Sequence, residues 1–163
     1  MKHPLLFLDK IVTAEQARQL IQRWRMFQQT TVFTNGVFDL LHEGHLYSLS
    51  EAAKAGDHLI IGLNSDASVK KLKGPERPIQ TESTRAKLLA ALPFVDAVVI
   101  FESDTPETLI ELIEPDVLVK GGDYRPDQIA GSASVLKRGG RIIINPILDG
   151  FSTTALIQQI HRS

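Results

Sequence analysis

The sequence has no cysteine among its 163 residues, which removes disulfides, thiolate nucleophiles and Cys-ligated zinc together. It also has almost no net charge. The formal balance is −1, so no global basic field points to a nucleic-acid partner. Long apolar runs are missing: no window approaches the roughly 18 residues of a membrane span. The N-terminal run Leu5-Leu6-Phe7-Leu8 is stopped by Asp9 and Lys10, too soon for a signal peptide. The expectation is a soluble, cytoplasmic protein with no membrane and no nucleic-acid partner. Three motifs are absent as well. Without GxxxxGK[ST] or GxGxxG, ordinary P-loop ATPases and nicotinamide enzymes are disfavoured, and without GxSxG so is a Ser-His-Asp hydrolase.

What is present is an ordinary globular composition, 43% hydrophobic and 23% charged, in a chain long enough to bury a core. Residues 1–163 read as a single domain, with 1–29 as an N-terminal helical extension. Thr13 with Gln16 forms a capping-box pattern, and Ala17, Leu20, Ile21, Trp24 and Phe27 recur at helical spacing to about residue 28. Trp24 and Phe27 read as packing residues rather than a ligand platform.

From Thr31 onward, short apolar runs alternate with helical patterns. Strands are expected at about 31–35, 58–63, 96–101, 116–120 and 141–145. Between them lie helices starting near Gly44 (ending at Gly56), Thr81, Thr105-Pro106-Glu107 and Gly150, plus a short one capped at 64–66. Lys70 to Pro78, rich in cations and carrying two prolines, reads as an exposed loop. The sum is a three-layer, doubly wound α/β domain with five parallel strands. Such sheets bind ligands at the carboxyl ends of strands, near a topological switch point. Residues 34–45, 120–124 and 150–154 all fall there.

Those three stretches carry the chemistry. His42 and His45 stand at a strand-to-helix junction, where backbone N–H groups and a helix N-terminus can receive an anion. With a glycine between them, their natural role is to stabilise charge on phosphoryl oxygens. Asp39 could orient an imidazole, help hold a divalent cation, or serve as a turn residue or cap. Ser152, Thr153 and Thr154 at the last helix make a phosphate cradle or simple N-capping. Lys120 ends an apolar strand that gives it no structural reason to be there, and Gly121-Gly122 permit close backbone approach. The Lys70, Lys71, Lys73 and Arg77 cluster is either a phosphate lid or a solvated loop. Arg85 either reaches the site or sits on the surface.

The stretch Asn35-Gly36-Val37-Phe38-Asp39-Leu40-Leu41-His42-Glu43-Gly44-His45 resembles the HxGH signature of the nucleotidyltransferase superfamily, which includes the cytidylyltransferases for glycerol phosphate and phosphocholine. Further stretches are similar to one branch, the adenylyltransferases acting on D-glycero-β-D-manno-heptose 1-phosphate. These are Gly62 to Ser68, Leu72-Lys73-Gly74 with Arg77-Pro78, Val119 to Tyr124, and Asp149-Gly150 with Ser152 to Thr154. The resemblance covers about residues 30–161. It implies a Rossmann-like fold of the nucleotidyltransferase type and transfer of AMP from ATP to the sugar phosphate with Mg2+, giving ADP-heptose for the lipopolysaccharide core of a Gram-negative-type bacterium. It also implies homodimers or higher homo-oligomers. Many relatives are fused to a sugar kinase; this chain begins with one helix and resembles the standalone form, which needs a separate kinase.

By matched position, His42 and His45 would stabilise the pentacovalent phosphorus. Lys73, Lys120, Arg85 and Ser152 to Thr154 would contact phosphates, and Asn35, Gly36 and Phe38 would line the nucleotide site. Thr34, Asp39, Gly44, Asn64, Asp66, Gly121, Gly122 and Asp123 are counted with that site, and Asp39 as a metal ligand. One departure is Ile147, which stands where glycerol phosphate cytidylyltransferases place an arginine. The rival readings are a nucleotidyltransferase with another nucleotide or acceptor, and a non-catalytic nucleotide sensor.

Overall fold

The structure is a computed structural model that describes residues 6–122, 124–146, 148 and 150–161. Five strands form one wholly parallel sheet: β1 (Thr31–Gly36), β2 (His58–Asn64), β3 (Ala97–Phe101), β4 (Val117–Gly121) and β5 (Arg141–Asn145), in the order β3-β2-β1-β4-β5. The chain winds outward from β1 to β3, then crosses back to β4. The switch point therefore lies between β1 and β4.

Alternation along each strand builds the three layers. Phe33, Ile60 and Leu118 face one side and pack with α1 (Ala14–Met26), α5 (Glu107–Ile113) and α6 (Ser132–Lys137). Val32, Leu59, Ile61, Val117 and Val119 face the other, against α2 (Glu43–Ala53) and α4 (Glu82–Ala90). Each fully buried Ile, Leu or Phe contributes about 1.5–3 kcal/mol from area removed from water, and apolar side chains on both faces are what a covered parallel sheet requires. α3 (Asp66–Lys73) and α7 (Thr153–His161) flank the carboxyl ends of the strands.

The capping box at Thr13 forms as expected, with Gln16 N–H donating to Thr13 Oγ1 and Thr13 N–H to Gln16 Oε1. α1 buries Ala17, Ile21 and Trp24 in the sheet's own core, so it is a full member of one helical layer. Phe27, expected inside, is instead the exposed residue just past the helix end. The cationic stretch also differs from the expected loop. Ser65 caps α3, which runs through Lys70, Lys71 and Lys73 and stops at Gly74. Lysines in a last turn complement the helix dipole, so their density was compatible with a helix after all. Gly56 does not end α2, which closes at Lys54. A Cβ at Gly56 would lie 2.7 Å from Val32 Cγ2 and 2.8 Å from the Thr30 carbonyl, so the glycine is required by close approach to β1.

Candidate active site

β1 and β4 pair only at Val32–Val117 and Phe33–Leu118. Beyond those residues their carboxyl halves have no partner in each other, and a crevice opens at the switch point. The ammonium of Lys120 spans it, donating to Asn35 Oδ1 at 3.4 Å. Burial pushes the Lys120 pKa below its ordinary value. With one long hydrogen bond to the protein, most of that cation's donor capacity is left for a ligand.

His42 is the N-cap residue of α2 and His45 sits in its first turn. Their rings stack at 3.8 Å between centroids, and Phe38 meets His45 edge-on at 5.4 Å. The Nδ1 atoms of both imidazoles are buried without a hydrogen-bond partner. Burial lowers the His42 pKa; burial, with a smaller push from His42, takes His45 down to about 4. Both rings are therefore neutral at pH 7. Gly44 is demanded by this arrangement: a Cβ there would lie 2.8 Å from Phe151 Cβ and 3.1 Å from the His42 ring.

The turn before the histidines is held by Asp39. Its unexposed carboxylate accepts from Ile79 N–H at 2.8 Å, Gln80 N–H at 3.0 Å and Arg77 Nε at 2.9 Å. Burial alone would raise the Asp39 pKa, but the two backbone donors and Arg77 outweigh it and hold it below the usual carboxylate value. Phe38 and Leu40 on either side adopt φ of 47° and 52°. Left-handed backbone at non-glycine residues costs about 1 kcal/mol or more each and persists only where the surroundings over-determine it; the Asp39 anchor supplies that.

Two cavities meet at this crevice. One of about 370 Å³ is lined by Thr34 to Asp39, His45, Ser48, Lys73, Arg77, Lys120, Gly121 and Ser152 to Thr154. The other, about 480 Å³, shares Asn35, Gly36, Val37, Lys73 and Lys120 and adds Asn64, Asp104, Thr105, Tyr124 and Gln128. His42 and Gly44 open onto an adjoining hollow with Phe151 and Ser152. At the start of α7, Ser152 Oγ accepts from Ala155 N–H, the cap expected of it, and Thr153 Oγ1 donates to the Asp39 carbonyl. A larger cavity, about 550 Å³, lies at the opposite end of the sheet among Arg25, Asp116, Arg138 and Arg141. Arg25 lies in the last turn of α1 and Arg138 is the C-cap of α6, where a positive charge complements the helix dipole; Arg141 opens β5, and the cavity holds no histidine.

Three expectations are corrected by these contacts. Arg85 does not reach a phosphate. It is wholly buried, donating to the carbonyls of Gln80, Val37 and Asn64 and to Asp66 Oδ1 at 2.7–3.0 Å. Asp66 is accordingly its counter-ion and lies outside both cavities, while the Asn64 side chain donates to Ser68. Asp39 does not fit a metal, because protein donors occupy both its oxygens. Among the described residues no group of three His, Cys, Asp or Glu side chains is placed to hold an ion by itself. Gly122 has φ 115°, a conformation that requires glycine. Asp123, Ile147 and Asp149 lie outside the described residues. Ser48, Asp104, Thr105 and Gln128 lie outside the stretches the sequence pointed to; only a strand order could have shown that they face this crevice.

Residues 33–159 match the model of a family described as cytidylyltransferase-like. "Bifunctional protein HldE" of Magnetococcus marinus is 51% identical over 152 residues, 93% of this chain and 31% of that protein. Its namesake in Rhodospirillum rubrum is 51% identical over 153 residues, 94% and 31%. The chain thus spans about a third of the length of these curated relatives. Among solved structures, the lipopolysaccharide core biosynthesis protein from Thermoplasma volcanium is 30% identical, with a TM-score of 0.59 over 74% of this chain and 97% of that one. Pantoate-beta-alanine ligase from Francisella tularensis, complexed with beta-gamma ATP and beta-alanine, shares the fold at 15% identity and a TM-score of 0.57, over 94% of this chain and 78% of that one. Among the described residues no helix is long and apolar enough to cross a membrane. With the stacked histidines at the sheet's switch point, the match over 33–159 makes this chain a member of the cytidylyltransferase-like family, and a nucleotidyltransferase.

Proposed function

We propose that this protein transfers AMP from ATP to D-glycero-β-D-manno-heptose 1-phosphate, giving ADP-heptose and pyrophosphate. The observation that carries the reading is the meeting of two cavities at Asn35, Gly36, Val37, Lys73 and Lys120. The first holds His45, Lys120 and the hydroxyls of α7, which suit a polyphosphate. The second offers Asn64, Asp104, Thr105, Tyr124 and Gln128, which suit the hydroxyls of a sugar. The adenylyl choice rests on the stretches 62–68, 72–78 and 119–124, and is supported by the 51% identity to the HldE proteins and the likeness to a lipopolysaccharide core biosynthesis protein.

The acceptor phosphate oxygen is already anionic, so no protein nucleophile is needed. That oxygen attacks the α-phosphorus in line; the new P–O bond forms as the bond to the β-phosphate oxygen breaks, and pyrophosphate leaves. Lys120 and the α2 and α7 N-termini receive the charge that builds on the phosphoryl oxygens. His42 and His45 stand beside it, each with an Nδ1 that no protein group engages, and an imidazole that gains a proton beside the phosphates adds a donor. Holding both substrates across one crevice supplies proximity. Magnesium brought in with ATP would supply further positive charge to the phosphates. A cytoplasmic setting, self-assembly into an oligomer and a kinase activity that makes the sugar 1-phosphate belong to the same reading.

The family's own description favours a second reading, a cytidylyltransferase with another phosphorylated acceptor. Pyrophosphate release measured with ATP and CTP, against a panel of sugar 1-phosphates and alditol phosphates, separates the two. Fastest release with ATP and the heptose 1-phosphate is expected. Preference for CTP with glycerol phosphate would overturn the proposal.

A further inference from the structure

Arg77 is a cation of this cleft to which the mechanism above gives no role. It comes from the arm between α3 and α4, and it lines the same cavity as His45, Lys120 and Ser152 to Thr154. Its side chain is only 16% exposed. The contact with Asp39 runs through Nε alone. Among the described residues the two terminal nitrogens of the guanidinium have no partner. An arginine whose task is to neutralise a buried carboxylate commonly meets it with two parallel N–H bonds. Here Nε alone makes that contact, which leaves the terminal nitrogens unspent in a cleft that already carries Lys120 and α7's hydroxyls.

Asp39 fixes this geometry from three sides. Its carboxylate also takes the Ile79 and Gln80 amides, which sets the path of the arm, and its carbonyl receives Thr153 Oγ1 from the start of α7. One residue thus registers the histidine turn, the arm and the hydroxyl helix against each other. We infer that Arg77 binds the polyphosphate of the nucleotide, the part that departs as pyrophosphate, and that Asp39 is the positioning residue that aims it. The inference deepens the function proposed above and rests on it for the name of the ligand. Its central probe is inorganic pyrophosphate, whose binding can be read without any transfer reaction.

Binding of pyrophosphate and of a hexose 1-phosphate is measured by calorimetry for the wild type, Arg77→Ala, Arg77→Lys and Asp39→Asn, with a thermal melt for each. A charge-assisted contact of this kind corresponds to a loss of about 10-fold or more in pyrophosphate affinity for Arg77→Ala. Arg77→Lys, which keeps the charge without the fork, should lose less and melt close to wild type. Asp39→Asn should weaken pyrophosphate several-fold although Arg77 is still present. Hexose 1-phosphate binding should be unmoved in all three, and added guanidinium ion should restore part of the pyrophosphate affinity of Arg77→Ala. A wild type that does not bind pyrophosphate overturns the inference, as does a folded Arg77→Ala protein that binds it within twofold of wild type. Loss of hexose 1-phosphate binding instead would place Arg77 on the acceptor and overturn it too. If the pyrophosphate losses appear but ATP supports no transfer, the inference stands and the adenylyl reading falls.

Discussion

His42 and His45 stack at 3.8 Å with an interplanar angle of 23°, and neither Nδ1 is spent on the protein. A buried polar atom left without a partner costs folding free energy of about 1–3 kcal/mol. The pair therefore weakens the fold slightly where it sits. His42→Ala and His45→Ala should each lower kcat by about 100-fold or more, with a melting temperature equal to or above wild type. Assays of pyrophosphate release beside thermal melts check both halves, and near-wild-type turnover in both variants would sink the assignment of these rings to catalysis.

Protonation gives a separate handle on the same pair. Burial holds His45 near 4, against an ordinary value of 6.5. Between those values the folded protein binds fewer protons than the unfolded chain, so stability should fall as pH drops from about 6.5 toward 4. A bound polyphosphate acts oppositely, raising the pKa of a nearby imidazole. The complex then holds protons that the free protein lacks, so binding takes protons up and tightens as pH falls below 7. Calorimetry at pH 6 in buffers of different ionisation enthalpy should show larger uptake for wild type than for His45→Gln. Equal uptake in the two would refute the coupling, since pyrophosphate's own titration is common to both.

The period of apolar residues made the layers legible, and it placed all five strands to within a residue or so of where they lie. The cleft was legible too, because three polar stretches each followed or preceded an element at the same sheet edge. What failed was the assignment of charges. Arg85 lies on a helix as expected, but a sequence does not say whether a helical arginine turns toward solvent or threads inward onto three carbonyls. Asp39 read equally as ligand or turn residue because its partners, 38 to 41 positions away, are contacts that only the folded chain makes. Local pattern carries the elements; long-range polar pairing does not show in it.

Arg85 is consequently a stability residue. Removing a wholly buried guanidinium strands the carbonyls of Val37, Asn64 and Gln80 and leaves Asp66 without its partner. Arg85→Met should cost about 3–5 kcal/mol, the scale for breaking a buried ion pair. Urea unfolding measures it. A variant that unfolds like wild type but loses phosphate affinity would return Arg85 to the binding site.

Gly44→Ala sets two effects against each other. Alanine is favoured over glycine by about 1 kcal/mol in a helix interior and by less in the first turn, where Gly44 stands, and the new Cβ would meet Phe151 Cβ at 2.8 Å and the His42 ring at 3.1 Å. Overpacking of that kind costs about 1–3 kcal/mol. Stability should change little in net, while kcat drops because His42 must turn. An unaltered kcat would show that the ring's present orientation is not the working one.

Lys120 ties function to a cost in stability most directly. Its ammonium is held below its ordinary pKa by burial, and its contact with Asn35 Oδ1 is long at 3.4 Å. Methionine keeps the length of the side chain and removes the charge, so Lys120→Met should relieve desolvation that one weak hydrogen bond and the half-exposed Tyr124 ring, 5.9 Å from the ammonium, do not offset. The melting temperature should rise, by about 2–4 °C for each kcal/mol relieved in a chain of this size. Transfer, which needs the cation opposite the developing phosphoryl charge, should fall by about 100-fold or more. Both are read on one preparation, by a thermal melt and by pyrophosphate release. A lower melting temperature would mean that the lysine is held in the crevice for the fold, and that the gap between β1 and β4 is not kept open for a ligand.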